Sequence, residues 1–104
     1  MAFASVVALA DLAEGELRAA VVDGRRVVVL RFDGAVYAYD DRCAHQGVAL
    51  SEGRLDGYVL TCTAHDWFYD VRSGQGISPP MACLQRFAVN VEDGQVFVDV
   101  SQPA

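Results

Sequence analysis

An all-β fold of short antiparallel strands, a sandwich or a small barrel, is what this 104-residue chain predicts. Asp-Gly pairs recur at 23–24, 33–34, 56–57 and 93–94. That dipeptide suits the two-residue hairpin turn whose central positions both need positive φ. Each pair lies between runs of β-branched or aromatic residues, and such runs fit a pleated, half-buried surface. Only Leu9–Glu14 looks helical, with Asp11 placed to start a single turn. Many short strands at close spacing and almost no helical periodicity point to a sheet protein.

Taken in order, Phe3–Val7 is expected to be the first strand. Leu17–Val22, Arg26–Phe32 and Ala35–Tyr39 follow, joined by the first two Asp-Gly turns. Tyr58–Thr61 and Trp67–Val71 are shorter, the latter turned by Ser73-Gly74. Phe87–Val91 and Val96–Val100 close the chain across the last Asp-Gly pair. The interval from about 41 to 80 breaks this rhythm with few long β runs and a Gly-x-Gly-x-x-Pro-Pro segment from Gly74 to Pro80. It is expected to form a small subdomain inserted into one domain spanning 1–104, since no linker, repeat or low-complexity tract interrupts the chain.

Composition narrows the function. Hydrophobic residues make up 53% of the chain, which suits a folded core rather than disorder. Fourteen acids stand against eight bases, every one an arginine, for a net charge of −6. That balance argues against nucleic acid, whose phosphates need a positive footprint, and favours a protein partner with a basic docking face. Met1–Ala10 is apolar, but it lacks a basic start, and Asp11 and Glu14 cut it short, so it is not read as an export signal. No stretch approaches the roughly 20 apolar residues of a membrane span. A soluble, cytoplasmic monomer is expected.

The chemistry is concentrated in two motifs, Cys43-Ala44-His45 and Cys62-Thr63-Ala64-His65, with 16 residues between them. Thiolate and imidazole suit zinc or iron–sulfur chemistry and disfavour calcium or magnesium, which want oxygen. A zinc finger commonly keeps its cysteines in one half and its histidines in the other, whereas here both halves are mixed. Such halves suit a two-iron cluster pinched between two loops, both cysteines on one iron and both histidines on the other. The third cysteine, Cys83, is then left over. No internal disulfide is expected, in keeping with a reducing compartment.

Residues 43–80, CAHQGVALSEGRLDGYVLTCTAHDWFYDVRSGQGISPP, resemble the cluster-binding region of Rieske [2Fe–2S] proteins. They are most like the small Rieske ferredoxins of bacterial multicomponent oxygenases, and weaker similarity runs over the whole chain. The likeness covers both ligand motifs, their separation, Leu50-Ser51-Glu52-Gly53 between them, and the Gly/Pro loop after the second. It implies a Rieske-type β-sandwich with an inserted cluster-binding subdomain and one [2Fe–2S] cluster held by Cys43, His45, Cys62 and His65. Two ferric ions, two sulfides, two thiolates and two neutral imidazoles sum to zero charge. Four thiolates would give a dianion that resists another electron, so the histidines raise the potential. The imidazole edge offers an exit for the electron, and the potential is expected to fall as pH rises through the imidazole pKa values.

Departures from the respiratory-chain Rieske proteins refine that reading. Their extra loop cysteines, joined as a disulfide, are here replaced by Val48 and by Ala64 or Thr63. Their serine donor to sulfide falls at Trp67, while Tyr69 keeps the place of a hydroxyl donor to a cysteine sulfur. Fewer donors to sulfur imply the lower part of the Rieske potential range. The x-Ala-His-x-Trp pattern, followed by Gly-Gln-Gly-Ile-x-Pro, is similar to the Rieske component of toluene-type aromatic monooxygenases. This implies a flavin-containing reductase upstream, a di-iron hydroxylase downstream, and no catalytic activity of its own.

Bland readings and rival functions stand beside these. A lone cysteine is usually a small buried hydrophobe. Trp67 could shield the cluster or be plain core, and Pro79-Pro80 could be a flap or a loop terminator. Asp40, Asp41, Glu52, Asp56, Asp66 and Asp70 could form a docking surface or simply a solvated face. The functional rivals are the ferredoxin of a ring-hydroxylating dioxygenase, a zinc-stabilised binding module, and the small subunit of an assimilatory reductase.

Overall fold

The computed structural model describes residues 3–42, 49–62, 67–78 and 82–103. Its described elements are ten strands and two single 3₁₀ turns, so the expected all-β class holds. The strands are β1 (Ala4–Ala8), β2 (Leu17–Val22), β3 (Arg25–Phe32), β4 (Ala35–Asp40) and β5 (Arg54–Asp56). They continue as β6 (Val59–Thr61), β7 (Phe68–Asp70), β8 (Gly76–Ser78), β9 (Arg86–Glu92) and β10 (Gln95–Pro103). Six form one antiparallel sheet in the order β1-β10-β9-β4-β3-β2, and four form a second in the order β5-β6-β7-β8.

Turn chemistry explains the hairpins. Asp23-Gly24, Asp33-Gly34 and Asp93-Gly94 all have positive φ at both residues, the geometry whose twist matches that of paired strands. The fourth pair behaves differently. Asp56 stays in β5 opposite Val59, and the turn is Gly57-Tyr58, with glycine first at φ +59°. The expected helical turn is the 3₁₀ turn Leu9–Asp11, which Asp11 ends rather than starts. Three-residue β5 and β8 had no sequence signature of their own, because Arg-Leu-Asp and Gly-Ile-Ser each hold a single apolar residue, whereas the equally short β6 and β7 lie in β-branched or aromatic runs.

Burial follows from β3. Val27, Val28, Val29 and Leu30 are all fully buried, because the strand is covered on both faces. Val27 and Val29 face a core with Val7, Leu12, Val22, Ala38, Phe87, Val96 and Val98, inside the curl of the larger sheet. The two edge strands of that sheet, β1 and β2, approach one another. Val28 and Leu30 face the second core, between the sheets, with Tyr39, Leu50, Leu60, Cys62, Tyr69 and Val71. Burying each such leucine contributes about 1.5–3 kcal/mol. This second core fixes the small sheet, and the thiol of Cys62, against β3 and β4.

Candidate metal centre

The site is framed by one end of the small sheet. Thr61 pairs with Arg54 on one side and Phe68 on the other, and Phe68 pairs with Ser78. Those four residues form a single row across β5 to β8. Cys62 and Trp67, on either side of 63–66, adjoin Thr61 and Phe68 in that row; Ser78, just before 79–81, ends it, and Arg54, five residues beyond Ala49, begins it. Backbone bonds tie the chain on either side of 63–66 and of 79–81. The Cys62 N–H donates to the Trp67 carbonyl at 2.8 Å, extending the β6–β7 hairpin beyond its last strand pair. The Gly76 N–H donates to the Ala82 carbonyl at 2.7 Å, and Leu84 N–H to the Gly74 carbonyl at 2.9 Å.

The foot of the first motif is held by a carboxylate. Asp41 follows β4, and its backbone N–H donates to the Arg26 carbonyl of β3 at 3.1 Å. Its Oδ1 accepts the Ser51 N–H and its Oδ2 the Ser51 hydroxyl, both at 2.7 Å. Ser51 lies in the 3₁₀ turn Leu50–Glu52, whose end is capped by the Gly53 N–H bonding the Leu50 carbonyl at 2.9 Å. Gly53 then packs against the Thr61 backbone so closely that a methyl there would lie 2.2 Å from the Thr61 carbonyl oxygen. The exit of the first motif and the entry to the second are therefore in backbone contact.

Cys62 is the one proposed ligand among the described residues. It is fully buried, in a core with Leu50, Leu60, Tyr69 and Tyr39. Cys43, His45 and His65 lie outside the described residues, as do Gln46, Gly47, Val48, Thr63, Ala64, Asp66, Pro79 and Pro80. Trp67 is half-buried against the inter-sheet core and Tyr69 is fully buried in it. Cys83 is exposed, on an isolated bridge with Gln75.

Tyr39 braces the site from behind. Its hydroxyl donates to the Val71 carbonyl at 2.5 Å. Burial pushes its phenol pKa well above the ordinary value, since the phenolate would be poorly solvated there. Gly74, at φ +81°, leaves room for the ring: a methyl would come within 2.9 Å of Tyr39 Cε1.

Two acids grouped with a possible solvated face have other roles. Asp41 is buried and bonded to Ser51, and Asp70 makes a paired contact with Arg72, whose Nε and Nη2 donate to it at 2.9 and 2.8 Å. The Arg72 hydrogen bonds lower the Asp70 pKa, and Arg72 also stacks on Tyr58 at 4.2 Å. Sequence reading missed the Asp41–Ser51 link and the close approach of Gly53. The only local hint was Ser51 directly after Leu50, with Gly53 two residues further on.

Comparison with known proteins agrees with this frame. Residues 2–88 match the family described as the Rieske [2Fe-2S] domain. Over 98 residues, 92% of this chain and 80% of the relative, the chain is 43% identical to the ferredoxin component of the alkene monooxygenase system of Xanthobacter autotrophicus. It is 41% identical over 93 residues to the ferredoxin component of the p-cumate 2,3-dioxygenase system of Pseudomonas putida, covering 86% and 79% of the two chains. Among solved structures, it matches a chain in the complex of reduced oxygenase and oxidised ferredoxin in carbazole 1,9a-dioxygenase. The TM-score there is 0.86 at 35% identity, covering 92% of this chain and 91% of that one.

Proposed function

The chain belongs to the family of Rieske [2Fe-2S] domains, and on that premise we propose that it is the ferredoxin of a multicomponent oxygenase system. Its cofactor is one [2Fe–2S] cluster, which when bound takes up and releases a single electron. Cys43 and Cys62 would supply thiolates to one iron, and His45 and His65 imidazoles to the other. The residues present fit such a group. The Cys62 thiol ends a strand inside an apolar wall of Leu50, Leu60 and Tyr69, where a cluster of near-zero charge loses little solvation. The observation that carries the reading is the row Arg54–Thr61–Phe68–Ser78, because Cys62 and Trp67, around the segment bearing His65, adjoin it, and Gly53, in the chain leaving the first motif, packs on Thr61.

The chain's own residues position and shield. The backbone pair Cys62–Trp67 closes the second motif, Asp41 and Ser51 close the first, and Trp67 covers the inter-sheet core beside Cys62. The electron would come from a flavin-containing reductase and pass to an oxygenase component, with weak docking so that the carrier can shuttle. A monooxygenase hydroxylase is favoured as acceptor by the pattern around His65 and by the likeness to the alkene monooxygenase ferredoxin. The likeness to the p-cumate dioxygenase ferredoxin supports the second reading, a ring-hydroxylating dioxygenase. Among the described residues no helix is long and apolar enough to cross a membrane, and a cytoplasmic, monomeric carrier is proposed.

The first test is optical. A brown protein with iron and sulfide in equal amounts, giving an anisotropic paramagnetic signal on reduction, supports the proposal. A colourless protein holding zinc removes it. Reconstitution with a di-iron hydroxylase and with a Rieske dioxygenase then separates the two acceptors, since only the cognate one turns over.

A further inference from the structure

A buried carboxylate needs a reason, because desolvation penalises its charge unless hydrogen bonds replace the lost water. The Asp41 side chain has no solvent exposure. Both of its oxygens are occupied by Ser51, by the backbone N–H and the hydroxyl, at 2.7 Å each. The Arg26 guanidinium stands 3.8 Å from Oδ2, too far for a hydrogen bond but close enough to offset the charge. Asp41 therefore joins three pieces. Its backbone is bonded to β3, its side chain holds the 3₁₀ turn beyond residues 43–48, and through Gly53 that turn abuts Thr61, the neighbour of Cys62.

From this geometry we propose that Asp41 is a positioning residue for the cluster. With Ser51 it closes the first ligand segment into a ring and sets that segment's register against the second. The inference rests on the reading that Cys43, His45, Cys62 and His65 are the ligands. Outer partners that orient metal ligands commonly matter to metal retention as much as to fold. A side chain that only stabilised the sheet would not affect cluster retention selectively.

The molecule contains a matched control. Glu14 staples the β3–β4 turn at the opposite end of the larger sheet, its carboxylate accepting the Asp33 N–H and, at 3.1 Å, the Gly34 N–H. Like Asp41, it takes two hydrogen bonds across a turn, but at the other end of β3.

The experiment measures bleaching of the holoprotein under an iron chelator, the reduction potential, and the melting temperature. Asp41→Ala is expected to bleach about tenfold faster than wild type. Ser51→Ala, which removes one bond of the pair, is expected to bleach roughly threefold faster. Asp41→Asn keeps the shape, so it should bleach near the wild-type rate, with a potential shifted upward by the loss of a fixed negative charge. Glu14→Ala should lower the melting temperature while leaving bleaching and potential unchanged. Should Asp41→Ala fail to fold, Ser51→Ala carries the same test, and its bleaching at the wild-type rate then overturns the positioning role. A brown wild type with Ser51→Ala and Asp41→Ala bleaching at its rate, or with Glu14→Ala bleaching as fast as they do, overturns the positioning role alone. A wild type without iron and sulfide overturns the ligand assignment itself, and the positioning role with it.

Discussion

Alanine at Gly53 tests whether the two ligand segments are held by backbone contact. The added methyl would lie 2.2 Å from the Thr61 carbonyl oxygen, 3.0 Å from the Leu50 oxygen and 3.3 Å from the Thr61 carbonyl carbon. All three atoms are backbone, so no flexible side chain can swing away. The residue's φ of −81° is open to any L-amino acid, so steric overlap and not the dihedral demands glycine here. Relief requires the 3₁₀ turn and β6 to part by roughly 1 Å, given an ordinary contact of about 3.3–3.6 Å. Overpacking typically costs about 1–3 kcal/mol, and the rigid partners put this case near 3. Loss of glycine's freedom in the unfolded chain returns about 0.4–1 kcal/mol. The net is a destabilisation of about 2 kcal/mol, or about 8–16 °C in melting temperature at this size. Thermal melts followed by circular dichroism, with iron analysis, provide the measurement. Gly53→Ala should melt early and hold substoichiometric iron. Gly57→Ala, which meets open space at φ +59°, should lose only about 1 kcal/mol and keep full iron. A Gly53→Ala protein that melts within about 2 °C of wild type with full iron would refute the reasoning.

Other consequences follow from the same geometry. Tyr39→Phe should cost about 1–2 kcal/mol, because the buried Val71 carbonyl loses its partner at 2.5 Å; urea unfolding at neutral pH measures it. Because burial raises the Tyr39 pKa in the folded state, the phenol's contribution is fully present below the unfolded value of about 10 and is lost as pH rises beyond it. Wild type should therefore lose stability between about pH 10 and 11.5 more steeply than Tyr39→Phe, and equal slopes would contradict the assignment. Cys62→Ser should abolish the brown colour, whereas Cys83→Ser, on the exposed bridge with Gln75, should retain full iron and sulfide. Bleaching by the Cys83 variant would place a ligand where none is proposed.

The features legible in the sequence are those decided by neighbours in the chain. An Asp-Gly pair declares its turn because positive φ is a local property, and three of four such pairs close hairpins with both residues in that region. The proposed ligand residues stand out for a similar reason, since C-x-H and C-x-x-H are compact patterns. The fourth Asp-Gly shows the limit: pairing of Asp56 with Val59 moved the turn onward by one residue. β5 and β8 were invisible, because Arg-Leu-Asp and Gly-Ile-Ser carry one apolar residue each and become strands only by pairing with β6 and β7.

By itself, then, the sequence determined an all-β chain and carried the two mixed sulfur–imidazole motifs from which the ligand set is proposed, both written in short-range patterns. Tertiary structure alone decided that Asp41 is a buried link rather than one more surface acid, and that Gly53 must have no side chain. It also decided that Arg54, Thr61, Phe68 and Ser78 line up in one row of a small sheet. The reason is physical: burial and steric contact are imposed by residues far away in the chain, and no window of neighbours carries that information.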